Sequence, residues 1–174
     1  TKTQDKKAPS NAGTSGWSDE LDARAVDIVR ALAMDAVEAA GSGHPGTAMS
    51  LAPAAYLLFQ EFLRHDPSDP EWIGRDRFVL SCCHSSLTLY IHLYLSGYGL
   101  TVDDLSLYRQ WGSRTPGHPE SELTSGVETT TGPLGQGVGN AVGMAIAQKW
   151  MAAQYSRPGF ESLFDHKVYA ICGD

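Results

Sequence analysis

Two short apolar runs, residues 78–81 (FVLS) and residues 168–172 (VYAIC), constrain the fold more than any other feature of the sequence. Each run is typical of a buried strand, and helical patterns fill the chain between them. Two strands of this type separated by helices predict an α/β fold with a parallel sheet flanked by helices. Ligands of such sheets bind beyond the carboxyl ends of the strands, which here carry His84 and Gly173-Asp174.

The helices are indicated by apolar residues at helical spacing and by start and stop signals. We expect helices over residues 18–41, from residues 47–50 to about 63, over residues 87–97, from Thr101 to about Trp111, and from the glycines near 135 to about Tyr155. Residues 112–131 predict a long irregular loop, and loops of that length are usually functional or mobile. Residues 1–17 have no periodicity and predict a disordered tail.

The stretch GPLGQGVG at residues 132–139 leads into the last of these helices. Gly costs about 1 kcal/mol relative to Ala inside a helix, so four glycines around a helix start need a geometric reason. One reason is a ligand held by unpaired amides at the helix N-terminus, with Pro133 at the first helical position. The other is a close helix–helix crossing. The stretch lacks the Lys-Ser or Lys-Thr of a Walker loop and the glycine spacing of a dinucleotide site.

The composition argues against several classes of function. The net charge of −7 makes nucleic acid or an anionic membrane a poor main partner. The longest apolar run, residues 51–59, is too short to span a bilayer, and the start of the sequence has no signal pattern. The three cysteines lack C-x-x-C spacing and fit a reducing compartment, so we expect a soluble, cytoplasmic protein.

Two histidines lie in rigid turns of glycine and proline: His44 in SGHPG and His118 in TPGHP. Neutral imidazoles exchange protons and hydrogen bonds with hydroxylated or carbonyl substrates, although a surface turn is the simpler interpretation of each. Cys82 and Cys83 beside His84 make a poor thiol nucleophile, because adjacent side chains tend to point apart. No second Cys/His pair has the spacing of a zinc site.

Asp174 follows the second apolar run after a single glycine and has two interpretations. It is either a simple strand terminator or a carboxylate ligand for Mg²⁺, which takes one or two carboxylates together with phosphate oxygens and water. The glycine-rich helix start makes the second interpretation coherent, since an acidic protein would then hold an anionic ligand through a metal and backbone donors.

Four motifs, in this order and spacing, resemble the transketolase family. They are SGHPG at residues 42–46, RDRFVLS at residues 75–81 followed by His84, TPGHPE at residues 115–120, and TGPLGQG at residues 131–137. Gly173-Asp174 is similar to the opening of the family's thiamine-diphosphate metal motif. The likeness covers residues 18–174, and it implies the N-terminal part of a diphosphate-binding domain with the thiamine-diphosphate-binding fold, incomplete at its C-terminal end.

The resemblance implies a transferase that moves a two-carbon ketol unit between sugar phosphates, with thiamine diphosphate and Mg²⁺ or Ca²⁺ as cofactors. It implies catalytic and substrate-binding roles for His44 at the reacting carbonyl and for His118 at the donor's terminal hydroxyl. It implies a homodimer with active sites between the subunits. It also implies a cofactor and metal site built from His84 at the diphosphate, Gly132, Pro133, Leu134, Gly173 and, for the metal, Asp174.

The chain departs from the family pattern at Cys83 and in length. Cys83 stands where the family usually has Gly, and a backbone with positive φ there would strain a cysteine and displace His84. The family's activating glutamate and phosphate-binding arginines belong to later domains, so we expect the chain to be inactive alone. The alternatives are a non-catalytic fragment and another thiamine-diphosphate enzyme, such as a deoxyxylulose phosphate synthase; the His118 motif favours a transketolase.

Overall fold

The computed structural model describes residues 19–173, apart from the side chains of Asp19 and Ser162. The predicted tail at residues 1–17 and the predicted metal ligand Asp174 lie outside the described residues. The elements follow the chain as α1 (Asp19–Ala40), α2 (Pro45–Ser50), α3 (Ala52–Leu57), β1 (Arg77–Leu80), α4 (Ser86–Ser96), α5 (Val102–Ser106), α6 (Gln136–Tyr155) and β2 (Val168–Ile171). A π-helical turn (Leu58–Phe62) extends α3, and 3-10 turns precede α4 (Cys83–Ser85) and β2 (Glu161–Phe164).

The two apolar runs form the parallel sheet that the sequence predicts. β1 and β2 pair in register from Arg77 opposite Val168 to Leu80 opposite Ile171. Parallel strands require a crossover connection, and α4, α5 and α6 all lie in it. The predicted α/β class is confirmed, and both strands end at the same edge of the sheet.

The helix α4 forms the centre of the core. Its residues from Ser86 to Leu93 are all buried, including the polar side chains of Ser86, Thr88 and His92. α1, α2 and α3 pack against it. It ends at Gly97, whose φ of 88° is the left-handed conformation that favours glycine after a helix. Among the helices within residues 19–173, none combines the length and the apolar character needed to cross a membrane.

The helix predicted from Thr101 to about Trp111 is shorter than expected. Its start is correct, since Thr101 and Asp104 form a reciprocal capping box. It ends at Ser106, because the chain turns away at Arg109, which has a φ of 62° and donates its backbone N–H to the carbonyl of Thr115 at 3.0 Å.

The predicted position of Pro133 in the first turn of α6 is wrong. The helix begins at Gln136 after Gly135, whose φ of 80° lies in the left-handed region. The Gln136 N–H donates to the carbonyl of Pro133 at 3.2 Å. Pro133 therefore belongs to a separate turn before the helix, which the positive φ of Gly135 makes possible.

Candidate functional site

A cavity of about 380 Å³ opens where the two strands end. Three parts of the chain that are distant in sequence form its walls: the end of β1 with the turn after it, the start of α6, and the end of β2. The lining residues are Ser81, Cys82, His84, Leu134, Gly135, Val138, Cys172 and Gly173. This is where parallel sheets bind ligands, and it brings together three of the predicted site residues, His84, Leu134 and Gly173.

His84 and His44 are in direct contact at this cavity. His84 lies on the 3-10 turn between β1 and α4, and His44 is the exposed residue that precedes α2. The edge of one imidazole faces the other ring, with centroids 5.2 Å apart and an interplanar angle of 68°. Within residues 19–173 neither imidazole has a hydrogen-bond partner, so both have nitrogens free for a ligand.

The start of α6 is held against the end of β1 by an unusually close approach. A Cβ atom on Gly137 would lie 2.5 Å from the Cα atom of Ser81, so only glycine fits at this position. The hydroxyl of Ser81 accepts a hydrogen bond from the N–H of Val138 at 3.2 Å. Of the four glycines in residues 132–139, Gly137 alone lies at a close crossing, since a Cβ atom on Gly132, Gly135 or Gly139 would meet no atom within 4 Å. The alternative of a close crossing thus holds at Gly137, where it joins a helix and the end of a strand rather than two helices.

The amides at the start of α6 are less open to a ligand than the sequence suggests. Two of them already have acceptors within the protein, since Gln136 donates to the carbonyl of Pro133 and Val138 donates to Ser81. The cavity therefore presents His84 and the loop before the helix to a ligand, together with the positive end of the helix dipole.

Cys83 does not strain the turn that carries His84. Arg109 is the one non-glycine residue with a positive φ within residues 19–173, so the expected strain at Cys83 is absent. The buried Cys83 thiol donates to the carbonyl of Gly132 at 2.8 Å, and it thereby connects the His84 turn to the loop before α6.

The neighbouring Cys82 is a poor nucleophile. Burial raises the pKa of the Cys82 thiol, which disfavours the thiolate that a nucleophile needs.

His118 lies outside the cavity. It is exposed in residues 115–119, which we call the His118 turn. Among the described residues its ring makes no contact with the rings of His44 or His84, so the structure does not join it to that pair. The turn itself is attached to the core, because the hydroxyls of Tyr90 and Ser86 donate to its carbonyls.

The remaining predicted residues lie beside the cavity or beyond the described part. Leu134 is 86% exposed and lines the cavity, whereas Gly132 and Pro133 lie just before it in the chain and are not among its lining residues. Asp174 is outside residues 19–173, within which no group of three or more His, Cys, Asp or Glu side chains could hold a metal ion.

Five residues that line the cavity were not among the predicted site residues: Ser81, Cys82, Gly135, Val138 and Cys172. Ser81 and Cys172 are the last residues of the two apolar runs, so their position at the carboxyl ends of strands was a usable signal. Val138 had no such signal, because its place depends on how α6 crosses β1.

Comparison with known proteins assigns the chain to a family. A family model described as the thiamine diphosphate binding domain of transketolase matches residues 21–174. A curated transketolase of Mycobacterium leprae is 61% identical over 161 residues, which are 91% of this chain and 23% of that protein.

Solved structures agree with the sequence match. The transketolase of Leishmania mexicana superposes with a TM-score of 0.85 at 50% identity, over 88% of this chain and 23% of its own. A Pichia stipitis transketolase in complex with sedoheptulose 7-phosphate superposes with a TM-score of 0.81 at 51% identity, over 87% of this chain and 22% of its own. The chain spans less than a quarter of the length of these relatives. Because the family model matches nearly the whole sequence, the chain belongs to the transketolase family, in its thiamine-diphosphate-binding domain.

Proposed function

We propose that the protein containing this chain is a transketolase, which transfers a two-carbon ketol unit from a ketose phosphate to an aldose phosphate. The observation that carries the proposal is the cavity at the strand ends, where His84, Leu134 and Gly173 meet and His44 packs against His84. The sedoheptulose 7-phosphate complex of the Pichia stipitis relative supports sugar phosphates as substrates. By the same family relation we assign residues 18–174 to the diphosphate-binding domain of a cytoplasmic homodimer.

The residues around the cavity fit thiamine diphosphate. His84 offers a free imidazole to the diphosphate, and the 20-residue helix α6 directs its positive end toward the same edge. The exposed Leu134, preceded by Gly132 and Pro133, offers apolar surface to the aminopyrimidine, and Gly173 leaves room at the end of β2. When bound, the cofactor supplies the electron sink for the carbanion of the transferred unit.

The histidines of the two turns act on the sugar. His44 is exposed and lies against His84 at the edge of the cavity, so it can donate a hydrogen bond or a proton at the reacting carbonyl oxygen. His118 holds the terminal hydroxyl of the ketose. Asp174 would hold the divalent metal, Mg²⁺ or Ca²⁺, because such a cation takes oxygen ligands and would offset the negative charge of the diphosphate.

The function is tested in the protein at the full length of its relatives. We expect transfer from xylulose 5-phosphate to ribose 5-phosphate in a coupled assay, and only when both thiamine diphosphate and Mg²⁺ are present. Asp174→Ala should remove the activation by metal, whereas Asp165→Ala, which removes an exposed carboxylate that pairs with Arg64, should retain it. Turnover without the cofactor, or unchanged metal activation in Asp174→Ala, would contradict the proposal.

The role of His84 is tested by cofactor binding. In the same protein His84→Ala should weaken thiamine diphosphate binding by about ten- to a hundredfold, since a hydrogen bond to a charged group contributes about 1.5–3 kcal/mol. Calorimetric titration in the presence of Mg²⁺ measures the change. His118→Ala is the matched control, because it removes an exposed imidazole outside the cavity and should leave the affinity unchanged. Equal affinities for all three proteins would remove His84 from the cofactor site.

A further inference from the structure

Two buried hydroxyl groups on α4 donate hydrogen bonds to the His118 turn. Tyr90 donates to the carbonyl of Pro116 at 2.9 Å, and Ser86 donates to the carbonyl of Gly117 at 2.9 Å. The donors are four residues apart and so lie on one face of the helix, and both are fully buried. Burial raises the pKa of Tyr90, so its hydroxyl keeps the proton that it donates.

A third hydroxyl connects this pair to the turn of His44. Ser86 has one proton, which the carbonyl of Gly117 receives, so its oxygen accepts from the hydroxyl of Tyr108 at 3.2 Å. The fully buried Tyr108 ring also packs against Gly43, where a Cβ would lie 3.1 Å from its Cε1 atom. Gly43 precedes His44 directly. One tyrosine therefore contacts the His44 turn with its ring and supports the His118 turn with its hydroxyl.

The opposite side of the His118 turn faces open space apart from the side chain of Arg109, which lies against Gly117. Pro116 and Gly117 line an open groove of about 560 Å³ together with Arg109 and Glu120. The ends of the turn are held by backbone amides, since the carbonyl of Thr115 accepts from Arg109 and that of Pro119 accepts from Thr131. Within the described residues, the hydrogen bonds at the middle of the turn come from the hydroxyls alone.

We propose that Ser86, Tyr90 and Tyr108 are positioning residues, which fix His118 relative to His44 for binding of the ketose. The inference rests on the proposed function, in which His118 contacts the sugar. Removing one hydroxyl leaves a partly buried carbonyl without its donor and lets the turn move toward the open groove. The contact between His118 and the ketose then weakens, since a small misplacement of such a group lowers the rate.

The kinetic test compares Tyr90→Phe and Ser86→Ala with the parent protein at the full length of its relatives. Each variant should lower kcat/KM for the ketose donor about three- to tenfold, the range expected for one lost hydrogen bond, and should leave thiamine diphosphate affinity unchanged. Tyr98→Phe is the matched control, since a buried tyrosine again loses one hydroxyl contact, but that contact is the 3.0 Å one to Nδ1 of His65 and not one to the turn. The control should keep the parent kcat/KM.

Two further measurements separate positioning from a general structural role. In a His118→Ala background, Tyr90→Phe should cause no additional loss, because it acts through the missing imidazole. Hydrogen exchange of the Arg109 and Thr131 amides, which donate to carbonyls at the two ends of the turn, should become about three- to tenfold faster in Tyr90→Phe and Ser86→Ala but not in Tyr98→Phe. Hydrogen exchange is measured without turnover, so it reports movement of the turn even if a variant is inactive.

The outcomes distinguish the two proposals. If His118→Ala lowers kcat/KM but the hydroxyl variants behave like Tyr98→Phe, the positioning inference is wrong and the proposed function stands. Equal losses from Tyr90→Phe with and without His118 would also overturn the inference. If exchange accelerates as expected while His118→Ala retains the parent kcat/KM, the assignment of His118 to the ketose fails, and positioning for catalysis fails with it.

Discussion

Gly137→Ala is expected to destabilise the protein by about 3 kcal/mol or more, at or above the upper end of what overpacking usually costs. The added methyl group would lie 2.5 Å from the Cα atom of Ser81 and 2.6 Å from its Cβ atom. A clash with backbone cannot be relieved by rotating a side chain, so the start of α6 would have to move away from β1. That movement would break the hydrogen bond from the Val138 N–H to Ser81 and open the cavity that they line.

Urea unfolding followed by circular dichroism measures this change, and Gly139→Ala is its matched control. Both glycines lie in α6, but a Cβ atom on Gly139 meets no other atom within 4 Å. There the helix propensity of alanine should stabilise the protein by about 0.5–1 kcal/mol. The two substitutions therefore have opposite expected signs. Equal stability of Gly137→Ala and the parent would show that α6 shifts freely against the sheet.

Acidification from pH 6.5 to pH 4 is expected to cost about 3 kcal/mol of stability through His92 alone. Burial lowers the pKa of His92 from 6.5 to about 4, against the opposing effect of its hydrogen bond to the carbonyl of Thr88. Below pH 6.5 the unfolded chain takes up a proton at this residue that the folded protein does not accept. The free energy of unfolding therefore decreases as the pH falls from 6.5 to 4, and the contribution of His92 is fully present above pH 6.5.

The surroundings of His92 explain why it stays neutral. It packs against the ring of Phe59 in the core, and within residues 19–173 its buried Nε2 atom has no hydrogen-bond partner. His92→Leu should therefore flatten the dependence of unfolding free energy on pH between 6.5 and 4, with a smaller slope left from His166, whose pKa burial also lowers. Urea unfolding at several pH values tests this, and an equally steep loss in His92→Leu and the parent would contradict it.

The sequence predicted the elements whose signals are local. The strands predicted at residues 78–81 and 168–172 were correct to within one residue. A short apolar run between helical patterns is too short for a buried helix and therefore favours a buried strand. The meeting of His84 and Gly173 followed from topology, since parallel strands end at one edge. The end of α5 and the position of Pro133 before α6 were predicted wrongly, because Arg109 and Gly135 adopt positive φ values that the sequence pattern does not show.

The sequence by itself determined that a parallel sheet would carry a histidine and a glycine-rich loop at its carboxyl edge. Only the tertiary structure decided which of the identical glycines matter, since Gly137 faces Ser81 and Gly139 faces open space on the same helix. It also decided that Tyr108, which has no motif around it, touches Gly43 and supports Gly117 through Ser86. The physical reason is that periodicity and turn chemistry act over a few residues, whereas close packing and buried hydrogen bonds depend on the crossing of distant segments.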